Sequence, residues 1–464
     1  MTSPGMQAAR QLFGTDGIRG IAGEYPLNPA TVFAIGRALG ARLKRNGGNA
    51  RVVFGQDTRE SSAWISETLA RGLMDSGLAF SSAGVLTTPG VAYLTRTHSY
   101  AAGIVVSASH NPWRDNGIKL FGPDGMKLAD AIEHEIEAEI FSHLAELEGS
   151  HGTPTADRRD VLPGESRLRD DYIEWLLTTI DTKPLRGMRV LVDCANGAAT
   201  SVAPELFRRC GVEAEYLHVR PDGRNINDGC GALHPEHVAQ QVAASRGAYL
   251  LGITFDGDAD RALFSDAGGH VVNGDAVMLL AARDMKQRGI LKNDTVVATA
   301  MSNMGLEKAL RGEGIRMLRA NVGDKYVLEQ MLKTSATLGG EQSGHILFMD
   351  GDSTTGDGLL TALRVLDVVA RSGKSLKELV ADLKEFPQVI RNVKVREKLP
   401  MDQLPAVMKA IGAAEVELDG NGRVLVRYSG TEQLARVMVE AESELLTKKH
   451  VEAIAGALKQ EIGA

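Results

Sequence analysis

The 464 residues point to three or four domains by length, and 43% hydrophobic with 24% charged residues is ordinary soluble composition. Fifty-two basic against 59 acidic residues give a net charge of −7, so any phosphorylated ligand must be caught by a local site; this argues against a nucleic-acid partner. Cys194, Cys210 and Cys230 are odd in number without CxxC spacing, so they encode neither a disulfide framework nor a zinc knuckle. The first eleven residues lack a signal-peptide pattern and no run approaches the ~20 apolar residues of a membrane span, which makes the reducing cytoplasm the expected setting and a membrane partner unexpected.

Along the chain, Phe13-Gly14-Thr15-Asp16-Gly17-Ile18-Arg19-Gly20 reads as a Gly-rich lead-in loop, with Arg19 free to hold an anion. Val32, Ile35, Leu39 and Leu43 recur at helical spacing after Asn28-Pro29, Arg51 to Phe54 reads as a strand, and the turn Gly55-Gln56-Asp57-Thr58-Arg59 leads into a helix from Trp64 to Met74. This is alternating α/β with a mostly parallel sheet. The apolar run from Ala101 to Val106 reads as a buried strand, and Asn111-Pro112 forces a turn behind it. Ser109, with His110 beside it, therefore sits at a strand end, where open α/β sheets meet ligands. It is either a nucleophile or ordinary polar turn chemistry. Asp115-Asn116-Gly117 is a hairpin signal, and the returning strand Ile118 to Phe121 brings Lys119 back towards Ser109 on the face opposite Ile118 and Leu120. A lysine held there would serve as acid or base if its neighbours move it from a reference pKa of ~10.4.

Residues 131–147 form an acidic amphipathic helix, and Gly149 to Gly164 looks like a linker. A second unit follows: strand Arg189 to Val192, turn Asp193 to Gly197, a helix to Arg209, the His234 to Ala244 helix, and a strand from Tyr249 to Phe255 that delivers Asp256-Gly257-Asp258-Ala259-Asp260-Arg261. Three carboxylates at alternate positions repel one another unless they wrap a cation, and an all-oxygen set suits magnesium or calcium, magnesium being the better match to phosphate. The EF-hand reading fails at Arg261 and Ala267, where glycine and glutamate are needed; a solvated acidic loop is the plain alternative. A third unit, Arg261 to about Arg371, restates the alternation and carries Glu341, Ser343 and His345 between glycines, a set suited to a polyhydroxylated ligand or else a polar hairpin. Gly373-Lys374-Ser375 lacks the first glycine of an NTP-binding loop, since Val368 stands there. In the fourth region Arg427, Ser429 and Thr431 bracket Gly430 after a strand, a grouping in which side chains and backbone amides converge on an anion.

Four motifs, Ser-Ala-Ser-His-Asn-Pro, Asp-Gly-Asp-Ala-Asp-Arg, Gly-Glu-Gln-Ser-Gly-His and Arg-Tyr-Ser-Gly-Thr-Glu, occur in an order that resembles the α-D-phosphohexomutase family, from Phe13 to the end. The resemblance implies three related α/β domains with mixed, mostly parallel sheets and a smaller C-terminal α+β domain around a central cleft, with limits at 1–160, 161–262, 263–378 and 379–464. It would make Ser109 the phosphorylated residue and a metal ligand through its phosphate, with Asp256, Asp258 and Asp260 holding Mg2+ and Lys119, His110 and Arg19 forming the catalytic surround. Arg261, Glu341, Ser343 and His345 would meet the sugar, and Arg427, Ser429, Gly430, Thr431 and Arg436 the non-reacting phosphate. Gln342 resembles the amino-sugar branch, implying glucosamine 6-phosphate and glucosamine 1-phosphate as substrates, glucosamine 1,6-bisphosphate as activating intermediate, and a place ahead of UDP-N-acetylglucosamine and cell-wall precursors. The glucose or mannose branch, a phosphatase and a non-catalytic sugar-phosphate-binding protein are the competing expectations; a homodimer is the expected assembly. Ala259, Tyr428 and Gln433 depart from the family pattern, the first replacing a common glycine and the other two altering the phosphate loop.

Overall fold

The computed structural model describes residues 12–14, 16–45, 47, 50–149, 164–429 and 433–464. These form two compact units, one from Met1–Met301 with Ile315–Val380, the other from Ser302–Gly314 with Ala381–Ala464. The expected linker lies mostly outside the described residues, as do Thr15, Gly430, Thr431 and Glu432.

The first unit holds three sheets. Strands β1 (Phe13–Gly14), β2 (Gly17–Ile21), β3 (Arg51–Gln56), β4 (Ala79–Val85), β5 (Ala102–Val106) and β6 (Asp115–Phe121) are ordered β1-β2-β6-β5-β3-β4. Next come β7 (Arg189–Asp193), β8 (Glu213–Leu217), β9 (Leu251–Phe255), β10 (Ala262–Asp266) and β11 (Val271–Val272), ordered β11-β10-β9-β7-β8. The third sheet, β12 (Thr295–Thr299), β13 (Arg316–Ala320), β14 (Leu338–Gly340) and β15 (Ile346–Phe348), is ordered β13-β12-β14-β15. One plan is stated three times: β4-β3-β5-β6, β8-β7-β9-β10 and β13-β12-β14-β15 each place the first strand between the second and third, parallel to both, and return the fourth antiparallel to the third. The turn from third strand to fourth carries, in the three cases, Ser109, Asp256 to Asp260, and Glu341 to His345. Ala102–Val106, Leu251–Phe255 and Thr295–Thr299 are buried throughout, as parallel strands covered on both faces are, which is why they read as short apolar runs.

Two sequence expectations change here. Gly17 to Ile21 is a strand, not a loop, paired antiparallel with β6 so that Arg19 faces Gly117. Asp115-Asn116-Gly117 is not the turn but the start of β6, the reversal occurring over residues 107–114. Asn116 is there because its Nδ2 donates to Ser61 Oγ and Ser62 Oγ at 2.8 and 3.0 Å, and Gly117 because a Cβ would lie 2.6 Å from the Ser107 carbonyl. The register nonetheless sets Lys119 opposite Val105, while Ile118 and Leu120 enter the core. Helices Ser166–Thr178 and Gly358–Ser372, and strands β10 and β11, are additions that the sequence reading lacks.

The second unit is an antiparallel sheet, β16 (Gln388–Lys394), β17 (Gly422–Tyr428) and β18 (Leu434–Ala441) in the order β16-β18-β17, whose core joins Val437 and Val439 to Val407, Ile454 and Leu458 of helices Pro405–Leu418 and Glu444–Ile462. Helix Met304–Gly312 belongs to this unit: Asn303 exchanges hydrogen bonds with the Phe386 backbone at 3.0 and 2.9 Å, and Met304 N–H donates to Glu440 at 2.7 Å.

Candidate functional site

Ser109 is buried, with a φ of +52° that few non-glycine residues adopt. The surroundings fix that turn. The Ser109 N–H donates to Ser107 Oγ at 3.0 Å, and Ser107 Oγ donates to Asp57 at 2.5 Å. Asp57 and Arg59 form an ion pair with no exposed side-chain surface, and Arg59 Nη2 donates to the carbonyls of Ser109 and Asn111 at 3.1 and 2.6 Å. Asn227 Nδ2 donates to the same two carbonyls at 2.9 and 3.2 Å. Gly257 comes so close that a Cβ would lie 2.4 Å from the Ser109 carbonyl oxygen, so only glycine lets the acidic loop meet the serine loop. Ser109 Oγ then donates to Asp256 Oδ2 at 2.5 Å, with His110 Nδ1 at 3.4 Å.

Asp256, Asp258 and Asp260 bring one carboxylate oxygen each within 4.8 Å of one another, all three side chains buried. Asp258 Oδ1 and Asp260 Oδ1 are buried without a hydrogen-bond partner. Burial, reinforced by Asp260 and Asp258, pushes Asp256 well above the usual carboxylate range, while Lys119 and His345 overcome burial and hold Asp260 well below it, so Asp256 is the member that wants either a proton or a cation. Unsatisfied buried oxygens in an all-oxygen set fit a hard divalent cation. Thr88 secures Asp258, its Oγ1 donating to Oδ2 at 2.5 Å and its N–H to the backbone carbonyl at 3.0 Å.

Lys119 Nζ stands 2.9 Å from Asp258, 3.1 Å from Asp16 and 3.4 Å from Asp260. Burial works to lower its pKa, but these three carboxylates outweigh it and carry the ammonium well above its ordinary value: the lysine is a fixed cation, not a group tuned towards neutral pH. Arg19 pairs with Asp16 and donates to Asn111 Oδ1 at 3.3 Å. Lys127 bridges Asp16 and Asp324. His110 is the opposite case from Lys119, because burial with Arg261 and Arg19 nearby lowers it to about 4 and leaves a neutral imidazole beside Ser109 Oγ.

A cavity of about 440 Å3 opens over this group, lined among others by Arg19, His110, Asp260, Arg261, Glu341 and His345. The sugar-loop candidates are built by the β14–β15 turn: Glu341 N–H donates to the His345 carbonyl at 3.0 Å, Ser343 Oγ donates to Glu341 at 3.2 Å, and Glu341 accepts from Gly323 N–H at 3.2 Å. His345 is almost fully buried, 3.5 Å from Asp260 and 3.7 Å from Asp324; burial disfavours its charge, but these carboxylates prevail and raise it to about 9. A Cβ on Gly356 would lie 2.3 Å from the His345 ring, so the backbone lies directly on the imidazole.

In the second unit Arg427 and Arg436 are directly opposed across β17 and β18. Like charges in that register repel, and an anion between them relieves the cost. Lys398 Nζ donates to the Ser429 carbonyl at 2.6 Å, and Ser429 is buried. Tyr428 points the other way, packs on the core and donates its hydroxyl to the Leu399 carbonyl at 2.6 Å, so this departure from the family pattern serves the sheet. Gly430 and Thr431 lie outside the described residues. Asp57, Arg59, Thr88, Lys127, Asn227, Asp324 and Lys398 were not singled out by the sequence; only the Asp57–Arg59 turn carried a local signal.

Four family models match in order: phosphoglucomutase/phosphomannomutase alpha/beta/alpha domain I at 10–146, domain II at 170–269, domain III at 273–386 and the C-terminal domain at 391–457. The chain is 67% identical over 464 residues, all of both chains, to a phosphoglucosamine mutase of Koribacter versatilis (strain Ellin345). It is 50% identical over 455 residues to one of Solibacter usitatus (strain Ellin6076), covering 98% of this chain and 100% of that one. Among solved structures, a phosphoglucomutase/phosphomannomutase family protein from Burkholderia thailandensis shares the fold at a TM-score of 0.76 and 23% identity, over 97% of this chain and 99% of the other. Aspergillus fumigatus N-acetylphosphoglucosamine mutase, solved with GlcNAc-6P and magnesium, does so at 0.65 and 20%, over 97% and 96%. No described helix is long and apolar enough to cross a membrane.

Proposed function

The chain belongs to the phosphoglucomutase/phosphomannomutase family, and from that premise we propose that it interconverts glucosamine 6-phosphate and glucosamine 1-phosphate through a phosphorylated Ser109. The observation that carries the serine's role is its buried Oγ, held by a fixed turn at 2.5 Å from Asp256. From phosphoserine the P–Oγ bond breaks as the phosphoryl group passes to a sugar hydroxyl, whose proton ends on the Ser109 Oγ that is set free, and a bound 1,6-bisphosphate results. After the sugar turns end for end, its other phosphoryl group returns to Ser109 Oγ and the freed sugar oxygen takes a proton.

Asp256, Asp258 and Asp260 are the residues assigned to Mg2+, which when bound neutralises charge on the transferring group. Lys119 adds a permanent positive charge at the same place, and Arg19 adds another beside the loop. The neutral His110 is placed to exchange a proton at Ser109 Oγ. Arg261, Glu341, Ser343 and His345 are assigned to the sugar. Arg427, Ser429 and Arg436, with Gly430 and Thr431, are assigned to the phosphate that does not react. Glucosamine 1,6-bisphosphate would prime a dephosphorylated enzyme; a cytoplasmic setting and a homodimer complete the reading. The amino sugar is supported by the names of the full-length relatives and by Gln342.

The test is a substrate panel. Protein phosphorylated on Ser109 is given the 6-phosphates of glucosamine, glucose and mannose with Mg2+, and kcat/KM is compared. Glucosamine should lead; a lead for mannose overturns the specificity, and release of inorganic phosphate without isomer makes the protein a phosphatase. Chelation should abolish turnover and added Mg2+ restore it.

A further inference from the structure

We propose that Asp193, His218 and Cys230 form a second cation site, of zinc-like preference, beside the loop that clamps the Ser109 turn. A carboxylate oxygen, an imidazole nitrogen and a sulfur lie within 4.8 Å of one another, contributed by three separate segments. The parallel register of β7 and β8 pairs Asp193 with Leu217, which sets His218 directly beside the carboxylate. Asp193 is oriented by the N–H groups of Ala195 and Gly231 at 2.8 and 3.0 Å. His218 Nδ1 is buried and lies 3.0 Å from Asp193 Oδ1, whose carboxylate raises the imidazole's pKa, so the pair already holds a nitrogen and an oxygen at the spacing a shared cation needs. The backbone here is unusual: Ala195, Asn196, His218 and Asn227 all have positive φ, between +48° and +57°.

The donor set decides the metal. Sulfur and imidazole select zinc, cobalt(II) or iron(II) over magnesium, the reverse of the all-oxygen set at Asp256, so the two sites discriminate between cations. Binding requires the Cys230 S–H proton to leave for solvent as the sulfur–metal bond forms, while the imidazole binds neutral; no oxidant is involved. Burial, with Asp193 and Asp228 nearby, pushes the thiol up to about 12, so the proton leaves only against the metal's charge. Three protein ligands leave the fourth position of such a site to a water. Cys230 shares a loop with Asn227, whose side chain donates to the Ser109 carbonyl and whose N–H donates to the Ala195 carbonyl at 3.0 Å. Occupancy therefore stiffens a support of the serine turn.

The full chain, held in excess Mg2+ to occupy the oxygen site, is titrated with Co2+ while the near-ultraviolet thiolate-to-cobalt absorption is followed. One equivalent should bring up the band and Zn2+ should remove it; Cys230→Ser should abolish it, His218→Ala should weaken Co2+ binding about tenfold or more, and Cys210→Ser should leave it intact. Circular dichroism checks each fold, and should Cys230→Ser not fold, His218→Ala decides. No band in folded wild type, a band that survives Cys230→Ser, or unchanged affinity in His218→Ala overturns the site.

Discussion

In the proposed reaction the Ser109 centre and the Arg427 face would both hold phosphate charge, and they are built in opposite ways. At the first, Ser109, Lys119 and the three aspartates are buried, with the Ser109 backbone pinned by Arg59 and Asn227 and Asp258 held by Thr88. At the second, two half-buried arginines on adjacent strands face each other across a sheet, with their turn held by a backbone pair and Lys398. Charge fixed in place costs no reorganisation when bonds change, which suits the atoms that react. Long cationic side chains tolerate a ligand presented in two orientations, which suits a phosphate that is only held.

If that division is right, the largest effect comes from the fixed centre. Ser109→Ala should lower kcat by roughly 10³-fold or more, as loss of a nucleophile does. Intact-mass measurement should find no phosphoryl group on it, while its urea midpoint stays near wild type. Substantial isomerase activity in this variant would move the chemistry off the serine. Next comes the scaffold. Arg59→Ala leaves Asp57 as an uncompensated buried charge and takes a donor from two loop carbonyls, so a loss of about 3–5 kcal/mol is expected from urea unfolding. A loss below 1 kcal/mol would mean that the turn is set by Asn227 and Ser107 alone.

That scaffold is also where the sequence falls silent. The strands that carry Ser109 and the aspartates are buried on both faces and so read as apolar runs ending in polar turns, and the face of Lys119 follows from period-two alternation behind an expected hairpin, whose turn lies a few residues earlier than its signal. Asn227 and Thr88 lie more than a hundred residues from the groups they hold, and a lone Asn or Thr in a turn has no local signature. Asn116-Gly117 shows the converse: a turn-like dipeptide forms strand because tertiary contacts, two serine hydroxyls and the Ser107 carbonyl, claim both residues. The segment of Arg19 reads as loop because three glycines lie nearby, and what makes it a strand is pairing with β6 on one side and β1 on the other, the first of these far away in sequence.

On the arginine face the effect should be smaller. Arg427→Lys keeps the charge and gives up the planar fork, so KM for either sugar phosphate should rise about tenfold with a lesser fall in kcat, equally in both directions. Unfolding should be nearly unchanged, since lysine keeps the positive charge opposite Arg436 in the same register. Steady-state kinetics run forward and backward check this. An effect in one direction only would give Arg427 a role at the reacting end and erase the contrast between the two regions.

The smallest effect belongs to the one family departure inside the rigid centre. Ala259 has a φ of +54°, a conformation that costs an L-residue ~1–2 kcal/mol and a glycine little. Its methyl is fully buried, and burial of one such group offsets ~0.8 kcal/mol. Glycine would also lose more chain entropy on folding, by ~0.4–1 kcal/mol. The three contributions nearly cancel, so Ala259→Gly should change unfolding free energy by less than about 1 kcal/mol. The loop itself should not move, because Ala259 N–H donates to the Asp256 carbonyl and its own carbonyl accepts from Gly358 N–H, neither of which involves the side chain. Mg2+ affinity, measured by calorimetry on the dephosphorylated protein, should therefore match wild type. A severalfold change in affinity with unaltered stability would mean that the alanine tunes the spacing of the three carboxylates, and the centre would then be less rigidly determined by its backbone than its hydrogen bonds imply.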